Sequence, residues 1–257
     1  VFLHGFTHTG ASWAPVIEAV GAMLDRGAEA PVQPYRAIAP DIRGHGSASD
    51  VVPVDLEHVI GDVARQPADT FVLVGYSMGG RIALHVALAL PARVERLVLI
   101  GASPGIAEPV QRAERRAADE RLASELESST IEEFATSWAQ TPVLADQPPD
   151  VAAAVHADRL RSTPAGLARA LRGLGTGSLP SLWETLGELA TPTLLVVGER
   201  DLKFAGIAAA MARQIPAGQV ITVAGSGHAV HLEQPDATAS ILAGARRFPA
   251  RNQSTGA

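Results

Sequence analysis

Phe71-Val72-Leu73-Val74-Gly75-Tyr76-Ser77-Met78-Gly79-Gly80-Arg81 decides how the rest of the chain is read. The first residues form an apolar run of strand formers. G-x-S-x-G follows, and then Ile82-Ala83-Leu84-His85-Val86-Ala87-Leu88, which reads as a buried helix. A strand, a sharp turn and a helix around a central Ser are the setting of a nucleophile elbow. Gly75 and Gly79 are required because the backbone bends so tightly that a side chain would strike strand or helix. The turn lifts the Ser77 hydroxyl above the sheet edge, at a helix N-terminus that favours developing negative charge.

Outward from the elbow, strands and helices alternate. Val1 to Leu3 reads as a buried strand entering His4-Gly5-Phe6-Thr7-His8-Thr9-Gly10, and a helix starts at Ser12-Trp13 and runs to about Arg26. Arg36 to Asp41 reads as the next strand, closed by a glycine-rich turn through Gly44 and Gly46. Asp55 to Arg65 is a helix. Strands are expected at Arg96 to Ile100, Thr193 to Gly198 and Gln219 to Val223, with helices at Ala205 to Gln214 and Pro235 to Phe248. This alternation implies a mostly parallel sheet with helices on both faces. From about Ala107 to Leu186 the rhythm breaks into helical, arginine-rich sequence without a strand-like run. Because it lies between two core strands, it reads as a helical cap over one sheet edge. The expected division is a core at 1–106 and 187–248, the cap at 107–186, and a loose polar tail at 249–257.

Composition narrows the function. With 257 residues and 47% hydrophobic content, the chain has ample material for a core. No apolar run approaches the roughly 18 residues of a membrane span. A net charge of −6 argues against nucleic acid and anionic membranes as partners. Cysteine is absent, which excludes a disulfide framework and thiolate chemistry and fits the cytoplasm. The chain opens without an initiator Met on what reads as an internal strand, which leaves open whether it is one module of a larger polypeptide.

A serine nucleophile needs a base, and the base needs an orienting acid. Gly198-Glu199-Arg200-Asp201 follows a buried strand, so Asp201 falls at the same carboxyl edge as Ser77. Gly225-Ser226-Gly227-His228 follows the last strand and brings His228 to that edge. Glu199 and Asp236 are weaker candidates for the acid. His231 rivals His228 but belongs to the next helix. The order Ser, Asp, His is that of the α/β-hydrolase fold. An oxyanion hole would use the backbone N–H groups of Met78 and Phe6. His4 reads as a structural residue tying its loop down, and Asp41 to Gly46 as a plain turn rather than a metal or phosphate site. Tyr76 either fills space beside the elbow or touches substrate.

At this point the chain resembles the α/β-hydrolase superfamily over almost its whole length. Several stretches are similar to a narrower family, 2-succinyl-6-hydroxy-2,4-cyclohexadiene-1-carboxylate synthase of menaquinone biosynthesis. They are Gly75 to Arg81, Ala102-Ser103-Pro104-Gly105, Arg112 to Asp119, Trp138 with Pro142-Val143, Leu171 to Ser178, Gly198 to Phe204, and Gly227 to Glu233. The cap arginines and Gly175-Thr176-Gly177-Ser178 carry the narrower likeness. It implies a lyase that expels pyruvate from 2-succinyl-5-enolpyruvyl-6-hydroxy-3-cyclohexene-1-carboxylate, with no metal and no cofactor. Ser77 would act as base, assisted by His228 and Asp201.

The implied substrate carries several carboxylates, which suit the planar fork of arginine. Arg81 lies one helical turn past Ser77, on the same face. The resemblance adds Arg115 and Trp138 from the cap. A third cap arginine is Arg161 or Arg159, with the spacing to Gly166 favouring Arg161. Arg112, Arg116 and Arg121 read as surface charges. The alternative enzyme is a carboxylesterase or carbon–carbon bond hydrolase on the same triad. From another class, a receptor that kept the fold is disfavoured by the intact Ser–Asp–His order.

Overall fold

The computed structural model describes residues 1–26, 36–141, 144 and 147–245. Among these residues one sheet has five parallel strands: β1 (Phe2–Leu3), β2 (Phe71–Tyr76), β3 (Val94–Ile100), β4 (Thr193–Gly198) and β5 (Gly218–Val223), in that spatial order. Pairing of Tyr76 with Ile100, Ile100 with Val196 and Gly198 with Val223 aligns the carboxyl ends. The loops that follow β2, β4 and β5 therefore open at one edge.

Leu73, Leu97, Leu99, Leu195 and Val197 face one layer, built with α2 (Leu56–Ala64), α3 (Met78–Ala89) and α8 (Leu202–Ala212). Val74, Tyr76, Val98, Ile100, Leu194 and Val196 face the other, with α1 (Ala14–Arg26), α9 (Val230–Glu233) and α10 (Pro235–Ala245). Period-two alternation thus persists in strands buried on both sides, as a parallel sheet covered by helices requires. Between β3 and β4 lie α4 (Pro109–Glu127), α5 (Ile131–Trp138), α6 (Pro149–Arg159) and α7 (Pro164–Leu174). Of these, α4, α5 and α7 share a small core of their own around Ala123, Leu126, Phe134, Leu167 and Leu171. Phe6, from the loop after β1, packs into that core and joins it to the sheet domain.

The structure differs from the sequence reading in several places. Residues 36–41 form no strand; the Phe2 N–H donates to the Ile38 carbonyl at 2.8 Å, and Pro40, lacking an N–H, cannot extend a ladder. The first helix opens as a 3₁₀ turn at Gly10–Trp13, capped by the Thr9 hydroxyl. Helix α8 begins at Leu202 rather than Ala205, because the Asp201 carboxylate accepts from the Phe204 N–H and so caps it. Residues 27–35 lie outside the described residues. So do Pro142, Val143, the end of the last helix and the tail at 249–257. No helix among the described residues is long and apolar enough to cross a membrane.

Candidate active site

Ser77 occupies the junction of β2 and α3 with φ 52° and ψ −110°, a strained conformation for a residue with a side chain. Its neighbours explain why only glycines fit around it. A Cβ on Gly75 would lie 2.5 Å from the Gly79 carbonyl oxygen, and one on Gly79 would lie 2.3 Å from that of Leu3. The Ser77 N–H donates to the Ile100 carbonyl at 2.9 Å, which anchors the turn to β3.

Asp201 and His228, from the loops after β4 and β5, meet Ser77 here. The His228 Nδ1 lies 2.6 Å from the Asp201 Oδ2, and its Nε2 lies 3.2 Å from the Ser77 Oγ. Both loop residues are buried and Ser77 is partly open. With a proton on Nδ1 facing Asp201, Nε2 is free to accept from the serine hydroxyl. Phe204 and Tyr76 flank the imidazole, with ring centroids 4.5 and 5.3 Å away. His231 is not part of this relay: it is buried between Trp13 and Tyr76, at 4.4 Å from each ring. Burial holds its imidazole neutral, well below the ordinary histidine range.

A clasp unnoticed in the sequence joins the two loops. The buried Glu233 carboxylate accepts from Arg200 at 2.6 Å and from the Gly227 N–H at 2.8 Å, while the Arg200 N–H donates to the Ser226 carbonyl at 3.0 Å. The available signal is a Glu at the end of the short helix after His228, in a stretch that stands out in the sequence only by its family likeness.

The Met78 N–H opens α3 and has no acceptor within the helix. Phe6 sits in a turn closed by His8 N–H donating to the Gly5 carbonyl at 3.2 Å, so its own N–H takes no part in that bond. His4 has the tying role expected of it. Its Nε2 accepts from the Ile42 N–H at 2.8 Å, its Nδ1 lies 2.9 Å from the Gly5 carbonyl, and burial lowers its pKa to about 4. The Asp41 to Gly46 stretch is a turn whose Asp41 carboxylate accepts from Gly10 and Ser47.

Cationic groups gather beside this centre. Arg81 is buried, with Nη2 donating to the Leu174 carbonyl at 3.3 Å and Nε without a partner among the described residues. Burial, then the nearby Arg115, lowers its pKa to about 10, so the guanidinium stays charged near neutrality. Arg115 is half-exposed and pairs through Nε with Asp119 at 2.7 Å. Trp138 packs on Phe6 with centroids 5.3 Å apart. Tyr76 is buried, and burial pushes its hydroxyl pKa up, so it stays protonated.

The two candidates for the third cap arginine sit differently. Arg161 is exposed, two residues beyond the end of α6, on the rim of an outer cavity of about 270 Å³. Arg159, the last residue of α6, is instead buried, with Nε donating to the Thr7 Oγ1 at 3.2 Å and Nη2 without a partner among the described residues. Through Thr7, Arg159 is bonded to the loop that carries Phe6. Arg112 contacts the Ile106 carbonyl, while Arg116 and Arg121 are exposed on α4.

The sheet, elbow and Ser–His–Asp relay define an α/β-hydrolase, and residues 1–241 match the alpha/beta hydrolase family, to which this chain belongs. Its relatives include named synthases. It is 34% identical over 249 residues to the putative 2-succinyl-6-hydroxy-2,4-cyclohexadiene-1-carboxylate synthase of Bacillus subtilis (strain 168), covering 91% of this chain and 85% of that protein. It is 29% identical to the 2-succinyl-6-hydroxy-2,4-cyclohexadiene-1-carboxylate synthase of Escherichia coli O1:K1 / APEC, covering 96% and 93% of the two chains. The solved structure of MenH from S. aureus superposes with a TM-score of 0.83 at 31% identity, over 95% of this chain and 91% of that one.

Proposed function

We propose that this chain is a pyruvate-eliminating lyase acting on 2-succinyl-5-enolpyruvyl-6-hydroxy-3-cyclohexene-1-carboxylate. The observation that carries this reading is the pair of buried arginines, Arg81 and Arg159, each with a guanidinium nitrogen that has no partner among the described residues. A buried charged donor left unpaired costs free energy. A substrate bearing several carboxylates would recover that cost, whereas a neutral ester would not. The likeness to named synthases over most of the chain points the same way.

The relay supplies the chemistry. Ser77 Oγ takes the ring proton next to the succinyl ketone as His228 takes the serine proton, and Asp201 stabilises the imidazolium that forms. The electron pair moves first onto the ketone oxygen, held by the Phe6 and Met78 N–H groups. It then passes through the ring double bond and breaks the carbon–oxygen bond to the enolpyruvyl group. The leaving enolate of pyruvate takes up the proton stored on His228. No bond forms between Ser77 and carbon, so the carboxylate-binding arginines serve to set the ring C–H against the serine oxygen.

The test is release of pyruvate from freshly generated substrate, followed by a pyruvate-specific coupled reaction with Ser77→Ala alongside. The wild type should turn over, and the variant should lose at least about 10³-fold in kcat. A Ser77→Ala enzyme within about tenfold of wild type would overturn the assigned role. A folded wild type with no release would send the triad to an ester panel.

A further inference from the structure

We propose that Asp158 is a positioning residue: from the end of α6 it fixes the loop that presents the Phe6 N–H to the reacting oxygen. The proposal rests on the reading of that N–H as an oxyanion donor. Two carboxylates grip the loop. Asp41, from the core, accepts from the Gly10 N–H at 2.7 Å. Asp158, from the helical insertion, accepts from the Thr9 N–H at 2.8 Å and from the Thr9 hydroxyl at 2.5 Å. The Thr9 hydroxyl also accepts from the Ala11 N–H at 3.2 Å, so its rotor is fixed. One residue on, Arg159 donates to the Thr7 hydroxyl. Consecutive residues of α6 therefore hold alternate residues of the loop, and all four are buried.

Thr7 shows that the loop needs holding. It has φ 69° although it is not glycine, and it directly follows Phe6. Such a conformation persists only where the surroundings over-determine it. The bonds to Thr7 and Thr9 are that restraint. Asp158 stays ionised to make them: burial opposes its charge, but contacts from His8 and Thr9 outweigh burial and hold its carboxyl below the ordinary range. Because Arg159 follows Asp158, a single helix end would link carboxylate binding to donor placement.

The experiment compares wild type with D158N, T9V and T9S on two readouts. The first is steady-state pyruvate release. The second is the rate at which phenylmethylsulfonyl fluoride modifies Ser77: the serine oxygen bonds to sulfur, fluoride leaves, His228 takes the hydroxyl proton, and a sulfonyl oxygen takes the place of the oxyanion. D158N puts an amide donor against a loop donor, and T9V removes the hydroxyl. Both should lower kcat about 30-fold with KM within about threefold, and slow sulfonylation about tenfold. T9S, which keeps the hydroxyl, should stay within about threefold of wild type on both. Circular dichroism checks folding, and T9V carries the test if D158N does not fold. Unchanged kcat and sulfonylation in T9V would overturn the proposal, as would a loss confined to KM. A wild type that releases no pyruvate yet shows the sulfonylation pattern would overturn the lyase reading and leave the positioning role standing.

Discussion

Gly101→Ala tests the catalytic geometry through a residue that does not touch substrate. Gly101 follows β3 with φ +54°, and its N–H donates to the Val196 carbonyl at 3.0 Å, so the backbone is tied to β4. A Cβ there would stand 2.8 Å from His228 Cε1 and 2.9 Å from its Nδ1. Relaxed carbon contacts need about 3.5 Å or more, so ring and methyl must separate by about 0.7 Å. The ring has little room: Asp201 holds Nδ1 at 2.6 Å, and Phe204 and Tyr76 flank it. The 3.2 Å contact to Ser77 is the longer bond and gives way first. A displacement of that size should lower kcat by about 10²-fold, equivalent to about 2.7 kcal/mol. The positive φ should separately cost about 1–2 kcal/mol of stability, which a domain of ordinary stability survives. Initial rates of pyruvate release give the first number, and urea unfolding gives the second. A folded Gly101→Ala enzyme with kcat within about threefold of wild type would refute the steric reasoning.

Arg159→Ala should lower kcat/KM for the charged substrate by about 10–100-fold, whereas Arg161→Ala should stay within about twofold; the reverse order would put α6 in the wrong register. Arg81→Ala should weaken turnover of the same substrate by a similar factor while sparing hydrolysis of a small neutral ester, and equal losses on both would indicate a folding defect instead. Stability should fall as pH drops below about 6.5, because burial lowers the pKa of His4 to about 4, His45 to about 3 and His85 to about 4. Between those values and 6.5 the unfolded chain binds protons that the native chain refuses, so near pH 5 these three groups give a slope of up to about 4 kcal/mol per pH unit. A urea midpoint that is flat from pH 7 to pH 5 would contradict it.

Much of this site was legible because local chemistry and position coincide. Ser77, Asp201 and His228 each follow a buried strand and sit among glycines, so a coarse strand assignment was enough to bring them to one edge. The difference in burial between Arg159 and Arg161 was not legible. Helical spacing places both Arg159 and Arg161 near the end of α6, and what separates them is the tie between Asp158 and Thr9, 149 positions apart in sequence. The same holds for Gly101, which looks like any loop glycine until the His228 ring arrives beside it. Residues 36–41 failed for the opposite reason: the composition is that of a strand, but Pro40 cannot donate.

The two halves of the site answer to different physics. The sheet edge fixes the relay through backbone bonds and close glycine contacts, which are indifferent to the substrate's charge. The helices between β3 and β4 carry the candidates Arg115, Trp138 and Arg159, and α3 carries Arg81. A bare relay with a good oxyanion hole suits acyl transfer as well as proton abstraction. The choice between them falls to whatever holds the substrate. Guanidinium groups that bind carboxylates away from the reacting carbon present a C–H to Ser77 rather than an ester carbonyl. Changing the arginines while leaving the triad intact should therefore shift the reaction class before it abolishes catalysis.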